Sequence, residues 1–453
     1  MKNKIKKILV ANRGDSAIRI IRACKEMNIE TIGIYSLADA NALHTKLADR
    51  TICIGNCNMK DSYLNIYRIL AAAEISKVDA IHPGIGCLSE NPKFAKVCEK
   101  AGFKFIGPNS KTIELMGNKV NAKEVAQKCG VPVLKQNSIV ITSDTNIDSL
   151  DLDVDFPVVL KAVYGGGGKG IKVIESNKDL LSTIRLCLKE AESAFGDSKL
   201  LIEQYVSNAR HVEVQILADY YGNIIHLGDR ECSIQRNKQK FIEETRSTNI
   251  SDSLREQLYK DAIKICREIG YVGPGTIEFL VTKEEKYFFL EMNTRLQVEH
   301  TISEMITGVD IVKAQIEIFS GEKLSLQQSY VNFNGYAIQC RIMSESYNNY
   351  FVPSCGTIKR FTIPGGFGVR VDTGYEIGNS ISPFYDSLLC KISCHGKTKE
   401  EAVAIMKRCI AELEIQGVNT NKVFLNRILN SADFINGNYC TTYFEDKIKA
   451  ICL

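Results

Sequence analysis

The sequence predicts an α/β protein with a parallel, doubly wound sheet first, a central unit next, and a smaller α+β lobe last. Three observations support this fold class: strand and helix patterns alternate over the first 115 residues, strands flank a glycine run in the middle, and short strands with Gly/Pro turns follow residue 330. A chain of 453 residues exceeds one ordinary core, so we expect two or three domains.

The N-terminal segment carries the alternating pattern. An apolar run at 8–10 predicts a buried strand, the apolar spacing over 16–27 predicts a helix, and 31–35 predicts the next strand. Further strand patterns lie at 78–81 and 103–106. The first turn, 11–15, lacks the second and third glycines of a dinucleotide fingerprint, which argues against NAD binding.

The central segment contains a run of glycines between two strand patterns. The polar stretch 138–155 indicates a surface connection, and strands are expected at 156–161 and 171–174. Between them, 165–170 reads Gly-Gly-Gly-Gly-Lys-Gly, which lets the backbone approach phosphates closely. Gly170 replaces the Ser/Thr of a Walker A loop, so a flap over phosphates is predicted; the alternative is a flexible hairpin tip.

Later strand patterns lie at 200–206 and 211–216. The polar, basic stretch 232–244 could meet anionic ligands or form a solvated face. After residue 330 we expect the C-terminal lobe, with a last helix over 400–413.

A predicted hairpin places two carboxylates together. Strand patterns at 275–281 and 286–290 flank a polar turn, and folding about that turn sets Glu278 opposite Glu291. Like charges in that position are destabilising, and Asn293 adds an amide on the same face. Such oxygen ligands suit Mg²⁺ beside phosphates; the alternative is an exposed edge with solvated glutamates.

Composition narrows the function and the compartment. The net charge of +4, from 57 basic and 53 acidic residues, is too small and dispersed to indicate nucleic acid. The 16 cysteines include no Cys-x-x-Cys pair, and several stand singly in apolar stretches, such as Cys24 and Cys98. With no signal peptide or long apolar span, we expect a cytoplasmic protein with free thiols and no membrane contact.

These motifs, in this order, resemble the biotin carboxylases, which are ATP-grasp ligases. The resemblance covers nearly the whole chain and rests on 11–14, 82–84, 115–119, the glycine run, 210–213, 291–300, 340–341 and 385–387. It implies a Rossmann-like N-terminal domain (1–115), an ATP-grasp domain (116–330, with a flap subdomain at about 133–206) and a C-terminal domain (331–453).

The resemblance also assigns site residues. For ATP it implies Lys119, Lys161, Gly167, Gly168, Glu203, Gln204, Tyr205, Val206, His211, Gln235 and Lys238. For two Mg²⁺ (or Mn²⁺) ions it implies Glu278, Glu291 and Asn293, the residues that the hairpin pattern selects. For bicarbonate it implies Lys240, Arg295, Gln297 and Val298.

The implied chemistry has two steps. Glu299 is the base that deprotonates bicarbonate, which ATP then phosphorylates to carboxyphosphate, a step that needs positioning and charge neutralisation. Carboxyphosphate yields CO₂ and phosphate, phosphate deprotonates biotin, and Arg341 stabilises the resulting enolate-like oxygen.

Several positions depart from the family's pattern. Ile85 stands where an aromatic Tyr is usual, Lys238 replaces a His, and Gln339 replaces a Glu. Ser344–Ser346 and the 243–246 turn also differ. These departures affect the expected substrate pocket more than the expected ATP and metal sites.

The first hypothesis is a biotin carboxylase subunit. The sequence has no Ala-Met-Lys-Met motif, so a separate biotinylated carrier protein and carboxyltransferase subunits are expected as partners, with a homodimer typical of the family. Acetyl-CoA carboxylase of fatty acid biosynthesis is one such system; the final acceptor stays open. The alternatives are another ATP-grasp carboxylate–amine or carbamoyl-forming ligase, and a catalytically weakened regulatory subunit.

Overall fold

The computed structural model describes residues 4–134, 136–142, 145, 156–163, 171–195 and 198–452. Within them the N-terminal elements are β1 (Lys7–Val10), α1 (Gly14–Glu26), β2 (Glu30–Ser36), α2 (Leu43–Leu47), β3 (Arg50–Gly55), α3 (Ile66–Ser76), β4 (Ala80–His82), α4 (Pro92–Lys100), β5 (Lys104–Phe105), α5 (Ser110–Gly117) and α6 (Lys119–Lys128).

The N-terminal sheet has the order β3-β2-β1-β4-β5, and all its pairs are parallel. Parallel strands are covered on both faces, which explains why β1 is a continuous apolar run whose Ile8, Leu9 and Val10 have no exposed surface. The doubly wound prediction is therefore confirmed. His82 ends β4, where its Nδ1 accepts a hydrogen bond from the Gly84 N–H at 3.1 Å, so it shapes the loop that follows.

A small antiparallel sheet follows. Its elements are β6 (Gln136–Ile141), β7 (Val158–Ala162), β8 (Ile171–Ile174), α7 (Leu180–Phe195) and β9 (Leu200–Gln204), with the strand order β6-β9-β7-β8. The prediction of a connection over 138–155 is wrong at its start, because β6 extends through Ile141 and pairs with β9. Most of the rest of that stretch, and the whole glycine run, lie outside the described residues.

An eight-stranded antiparallel sheet forms the centre of the molecule. Its first strands are β10 (Arg210–Ala218), β11 (Ile224–Arg236), β12 (Gln239–Thr245), β13 (Gly273–Val281) and β14 (Tyr287–Asn293), and α8 (Asp252–Glu268), α9 (His300–Thr307) and α10 (Ile311–Phe319) accompany them. The stretch 232–244, left without secondary structure in the sequence analysis, forms much of β11 and β12.

The C-terminal lobe shares that sheet. Its elements are β15 (Tyr336–Met343), β16 (Glu345–Ser346), β17 (Val352–Pro353), β18 (Gly356–Thr357), β19 (Arg360–Thr362), β20 (Val369–Thr373), β21 (Ser380–Ile381), β22 (Leu388–Gly396), α11 (Lys399–Glu412), β23 (Glu414–Gln416), α12 (Lys422–Leu429), α13 (Ala432–Ile435) and α14 (Tyr443–Cys452). The sheet order is β14-β13-β10-β11-β12-β15-β22-β20, so the strands that flank residue 330 belong to one sheet. The domain boundaries themselves stay predictions.

The prediction that 400–413 is the last helix is wrong, because α12, α13 and α14 follow α11. These short helices pack apolar side chains such as Phe424 and Phe444 against the core of the lobe. Their brief apolar runs are too short for a clear helical period. In the described part of the chain, no helix has the length and apolar character needed to cross a membrane.

Candidate active site

A cavity of about 620 Å³ opens between the small antiparallel sheet and the eight-stranded sheet. All the predicted site residues line it except Glu203, Gly167 and Gly168; those that do are Lys119, Lys161, Gln204, Tyr205, Val206, His211, Gln235, Lys238, Lys240, Glu278, Glu291, Asn293, Arg295, Gln297, Val298, Glu299 and Arg341. Residues that lie up to 222 positions apart in the chain are thus brought to one place.

The three exceptions differ in kind. Gly167 and Gly168 lie outside the described residues. Glu203 is buried beneath the cavity, where Lys161 Nζ donates to its Oε2 at 2.7 Å and Lys123 donates to its Oε1. Burial acts to raise its pKa, but the two ammonium groups outweigh burial and lower the pKa to about 2. Glu203 therefore fixes Lys161 at the floor of the cavity.

The predicted hairpin is present, and its register depends on a bulge. Glu278 on β13 lies opposite Glu291 on β14, but the next pair is Phe279 with Phe289, so Leu290 is the extra residue. On the other side of β13, Glu213 of β10 is also opposite Glu278. The antiparallel sheet thus carries a row of three carboxylates across neighbouring strands.

The carboxylate pair fits a divalent cation. Burial and the charge of Glu278 raise the pKa of Glu291, so the site favours an added positive charge there. Asn293 lies beside them, and its Nδ2 donates to Glu278 Oε1 at 2.7 Å. Two carboxylates and an amide oxygen are the hard ligands that Mg²⁺ takes together with phosphate.

Lys240 neutralises the other side of the carboxylate row. Its Nζ donates to Glu299 Oε1 at 2.7 Å, to Glu278 Oε1 at 3.3 Å and to Glu213. Burial alone would lower the pKa of Lys240, but these carboxylates outweigh burial and raise it well above the usual value. The lysine is therefore a fixed cation in the cavity wall.

Glu299 lies between two cations. Besides Lys240, the Nη2 of Arg341 lies 3.1 Å from Glu299 Oε2. Burial acts to raise the pKa of Glu299, but Lys240 and Arg341 outweigh it and hold the pKa well below the usual range. Glu299 is thus ionised at neutral pH, which is the form that a general base requires. Arg341 is fixed in turn by Glu243, whose Oε1 accepts from its Nε at 2.6 Å.

The segment that follows β14 is clamped on both sides. Arg295 donates from Nε to Glu90 Oε2 at 2.7 Å and from Nη2 to Asn293 Oδ1 at 2.9 Å. Gln297 donates from Nε2 to Glu278 Oε1 at 3.0 Å. The two side chains are thereby held at the cavity wall beside the carboxylates.

Sequence reasoning missed several buried residues of this wall. Arg230, with no exposed surface, donates to Glu213 Oε2 at 3.1 Å and also to Gln297, so it supports the row from behind. Glu213 follows His211 by two strand positions and therefore shares its face, a signal that the alternation already carried. Arg230 and Glu243 carried no comparable signal, because their strands were not predicted.

Lys238, which stands where the family has His, remains in the lining of the cavity. Lys238 lines the cavity from the turn between β11 and β12, where its φ is +64°. Burial lowers the pKa of its ammonium group, while Glu445 on α14 acts to raise it. At Gln339, which stands where the family has Glu, the side-chain amide donates to Glu243 Oε2 at 3.0 Å, which a glutamate could not do when ionised.

A second cavity of about 660 Å³ adjoins the first, between the N-terminal sheet and the C-terminal lobe. Both cavities share part of their lining: Ile85, Gly86, Gln239, Val298, Arg341 and Asp386. Arg341 therefore stands where the two cavities meet. Ile85 is held by its backbone, since its N–H donates to Ser16 Oγ at 3.2 Å and its carbonyl accepts from Asn12 at 2.9 Å.

Comparison with known protein families gives three matches. Residues 4–113 match the biotin carboxylase N-terminal domain, 118–327 match the ATP-binding domain of the carbamoyl-phosphate synthase L chain, and 339–446 match the biotin carboxylase C-terminal domain. Together these matches cover most of the chain.

Similar proteins extend the match to full length. Biotin carboxylase 1 of Bacillus subtilis is 46% identical over 442 residues, which is 97% of this chain and 98% of that protein. The 2-oxoglutarate carboxylase small subunit of Hydrogenobacter thermophilus is 44% identical over 97% of this chain and 93% of that protein. A crystal structure of the biotin carboxylase domain dimer from the same organism, with MgADP, ADP and bicarbonate, superposes with a TM-score of 0.95 at 43% identity, covering 100% of this chain and 99% of that chain.

Proposed function

The chain belongs to the biotin carboxylase family, and we propose how its residues carry out the ATP-dependent carboxylation of biotin. The enzyme is an ADP- and phosphate-forming ligase that uses ATP, Mg²⁺, bicarbonate and biotin. The assignment of individual residues to these substrates is the proposal. It rests on the geometry of the cavity and on the match of each position to the family's motif.

ATP occupies the cavity between the two antiparallel sheets. Lys119 and Lys161 meet its phosphates, and Glu203 holds Lys161 in place. Gln204, at the end of β9, and the following Tyr205 and Val206 line the cavity where the base lies, together with Lys238. His211, Gln235 and the glycines at 167 and 168 complete the nucleotide contacts in this proposal.

Glu278, Glu291 and Asn293 hold the magnesium ions. Bound Mg²⁺ neutralises the charge that develops on the phosphoryl group during transfer. The carboxylate row supplies the ligands, and the raised pKa of Glu291 supports the placement of a cation here.

Bicarbonate lies against Lys240, Arg295, Gln297 and Val298, with Glu299 beside it. Glu299 is ionised and can take the bicarbonate proton, after which the bicarbonate oxygen attacks the γ-phosphoryl group to form carboxyphosphate. Bound bicarbonate competes with Glu299 for the ammonium group of Lys240. The contact between Lys240 and Glu299 is therefore weaker while bicarbonate is bound, and the proton affinity of Glu299 rises.

Biotin approaches from the second cavity. Arg341, at the junction of the two cavities, lies next to Glu299 and presents a fixed guanidinium group. A planar cationic fork stabilises the enolate-like oxygen of biotin after phosphate removes its proton. CO₂ released from carboxyphosphate is then captured at the biotin nitrogen, between the two cavities.

The protein partners, the oligomeric state and the cellular location also belong to the proposal. We place biotin on a separate biotin carboxyl carrier protein and expect a carboxyltransferase partner; in support, one similar protein is named as the small subunit of a carboxylase. A homodimer is supported by the dimeric domain of the Hydrogenobacter structure. A cytoplasmic location is supported by the cysteines from Cys24 to Cys440, each of which is free.

One observation carries the functional assignment: Glu299 contacts Lys240 on the bicarbonate side and Arg341 on the biotin side, at 2.7 Å and 3.1 Å. The test is ADP formation with bicarbonate present or absent, and with or without free biotin. We expect turnover to require bicarbonate and to produce carboxybiotin. Biotin-independent turnover with an amine would support a different ATP-grasp ligase, and ATP binding without turnover would support a regulatory subunit.

A further inference from the structure

We propose that Lys391 is a positioning residue that orients residues 294–300, called here the bicarbonate segment, through the carbonyl of Val298. Lys391 lies on β22 in the C-terminal lobe and is 1% exposed. Its Nζ donates to the Val298 carbonyl at 3.1 Å and lies 3.0 Å from Asp15 Oδ2. This inference rests on the proposed assignment of Val298 and Glu299 to bicarbonate.

The sheet fixes where Lys391 points. Lys391 is directly opposite Arg341 on β15 and directly opposite Asp372 on β20. Residues that pair in this way present their side chains on the same face of a sheet. Lys391 therefore shares the face on which Arg341 reaches Glu299, one strand further from the cavity.

Two buried cations on neighbouring strands repel each other unless nearby anions neutralise their charges. Arg341 is paired with Glu243 and Glu299, whereas Lys391 is paired with Asp15 and lies beside Asp372, whose pKa it helps to lower against the opposing effect of burial. Each of the two cations therefore has its own carboxylate partner in the interior. A second ammonium group thus stands behind the bicarbonate segment.

Asp15 adds a contact from a different part of the chain. It lies in the first turn of α1, and the start of α1 packs so tightly on the C-terminal lobe that a Cβ on Gly374 would lie 2.6 Å from the Gly14 Cα. Lys391 therefore joins three regions: the start of α1, the C-terminal sheet and the segment after β14. Its Nζ cannot shift far without losing one of these contacts.

The contact with Val298 bears directly on the anion. The side chain of Val298 has no polar atom, so Val298 can bind an anion only through its N–H, and its carbonyl must point elsewhere. Lys391 donates a hydrogen bond to that carbonyl and fixes the peptide unit that leads into Glu299. Loss of the ammonium group would free a carbonyl dipole beside the anion and loosen Glu299, while the ATP contacts on β9 would be unaffected.

The experiment compares Lys391→Met, Lys391→Arg and Asp15→Asn with the wild type in bicarbonate-dependent ATP cleavage. Lys397→Met is the matched control, since Lys397 follows the same strand and is exposed. We expect Lys391→Met to raise the KM for bicarbonate by about tenfold or more, as for loss of a charged hydrogen bond, with the KM for ATP within about twofold. Lys391→Arg should restore most of the affinity, and Asp15→Asn should raise the same KM by less.

Hydrogen exchange supplies a second measurement. Bicarbonate should slow exchange of the amides in 294–300 in the wild type but much less in Lys391→Met. Equal increases in both KM values, or a loss of thermal stability alone, would overturn the proposal; if Lys391→Met does not fold, an unchanged bicarbonate KM in Asp15→Asn would do so. A wild type whose ATP cleavage ignores bicarbonate would instead refute the proposed function.

Discussion

Glu278 and Glu291 lie directly opposite each other on adjacent antiparallel strands, and the two carboxyl groups have opposite pKa shifts. Burial acts to raise the pKa of Glu278, but Lys240 and His211 outweigh it and hold the pKa well below the usual range. Burial and the Glu278 charge raise the pKa of Glu291. Cations of the protein therefore neutralise the charge of Glu278, whereas a bound metal cation would neutralise that of Glu291.

We expect Glu291→Gln and Glu278→Gln each to lower ATP turnover by about 10- to 100-fold, because each removes a ligand or its immediate support. Raised Mg²⁺ should partly restore Glu291→Gln. In a double-mutant cycle of ATP turnover, the two losses should be non-additive if both residues serve one metal site. Fully additive losses would count against a shared site.

The sequence predicted this pair, but not the reason for its register. Counting back from the turn, Val281 pairs with Tyr287 and Phe279 with Phe289, so Leu290 would face Glu278 in a regular ladder. A bulge at Leu290 brings Glu291 into that place instead. Bulges depend on side-chain packing and ligand geometry, which the apolar/polar alternation does not encode.

The chemistry-bearing residues were predicted better than the elements that hold them. The motif order located 17 of the 27 residues that line the nucleotide cavity, among them most of its polar side chains. By contrast, β11 and β12 were missed, because a strand buried on both faces beside an active site carries polar residues such as Arg230 and Glu243 at positions where apolar ones are expected. Long-range contacts such as Lys391 with Val298 leave no local pattern in the sequence.

Arg341→Ala should separate the two half-steps. We expect carboxylation of biotin to fall by about 100-fold or more, as for loss of one oxyanion-stabilising group, while bicarbonate-dependent ATP cleavage falls by less than about tenfold. The residual effect on cleavage reflects the 3.1 Å contact with Glu299. Both activities are measured on the same preparation, as ADP released and carboxybiotin formed. Equal losses would show that Arg341 serves bicarbonate as well.

Glu203 should make the small antiparallel sheet sensitive to acid. Its pKa is lowered to about 2 from 4.5, so its contribution to stability is complete above pH 4.5 and is lost as the pH falls toward 2. The difference corresponds to about 3 kcal/mol. Hydrogen exchange in β7 and β9, corrected for intrinsic rates, should show this loss in the wild type and a flatter pH dependence in Glu203→Gln. Parallel curves would contradict the assignment.

Phe367 is the side chain we expect at the interface of the proposed homodimer. It is 96% exposed, follows the exposed Ile363 by four positions in the sequence, and its side chain has no polar atom to hydrogen-bond with water. Phe367→Glu should weaken self-association by at least about tenfold, measured by sedimentation equilibrium. Tyr350→Glu is the matched control, because Tyr350 is 91% exposed but carries a hydroxyl group. If Tyr350→Glu weakens self-association more than Phe367→Glu does, the interface lies at Tyr350 instead.

The last prediction concerns Ile85, where an aromatic side chain is usual. Ile85 lines both cavities beside Arg341, so it can affect how biotin is held without touching the carboxylate row. Lack of one hydroxyl contact weakens binding by about tenfold, which a carrier-tethered biotin at high effective concentration tolerates. We therefore expect Ile85→Tyr to lower the KM for free biotin by about tenfold and to leave the KM for the biotinylated carrier nearly unchanged. Ile85→Phe separates the ring from the hydroxyl group: equal gains from Phe and Tyr would show that stacking, not hydrogen bonding, is what Ile85 lacks. An unchanged KM for free biotin in both variants would mean that this wall does not contact biotin.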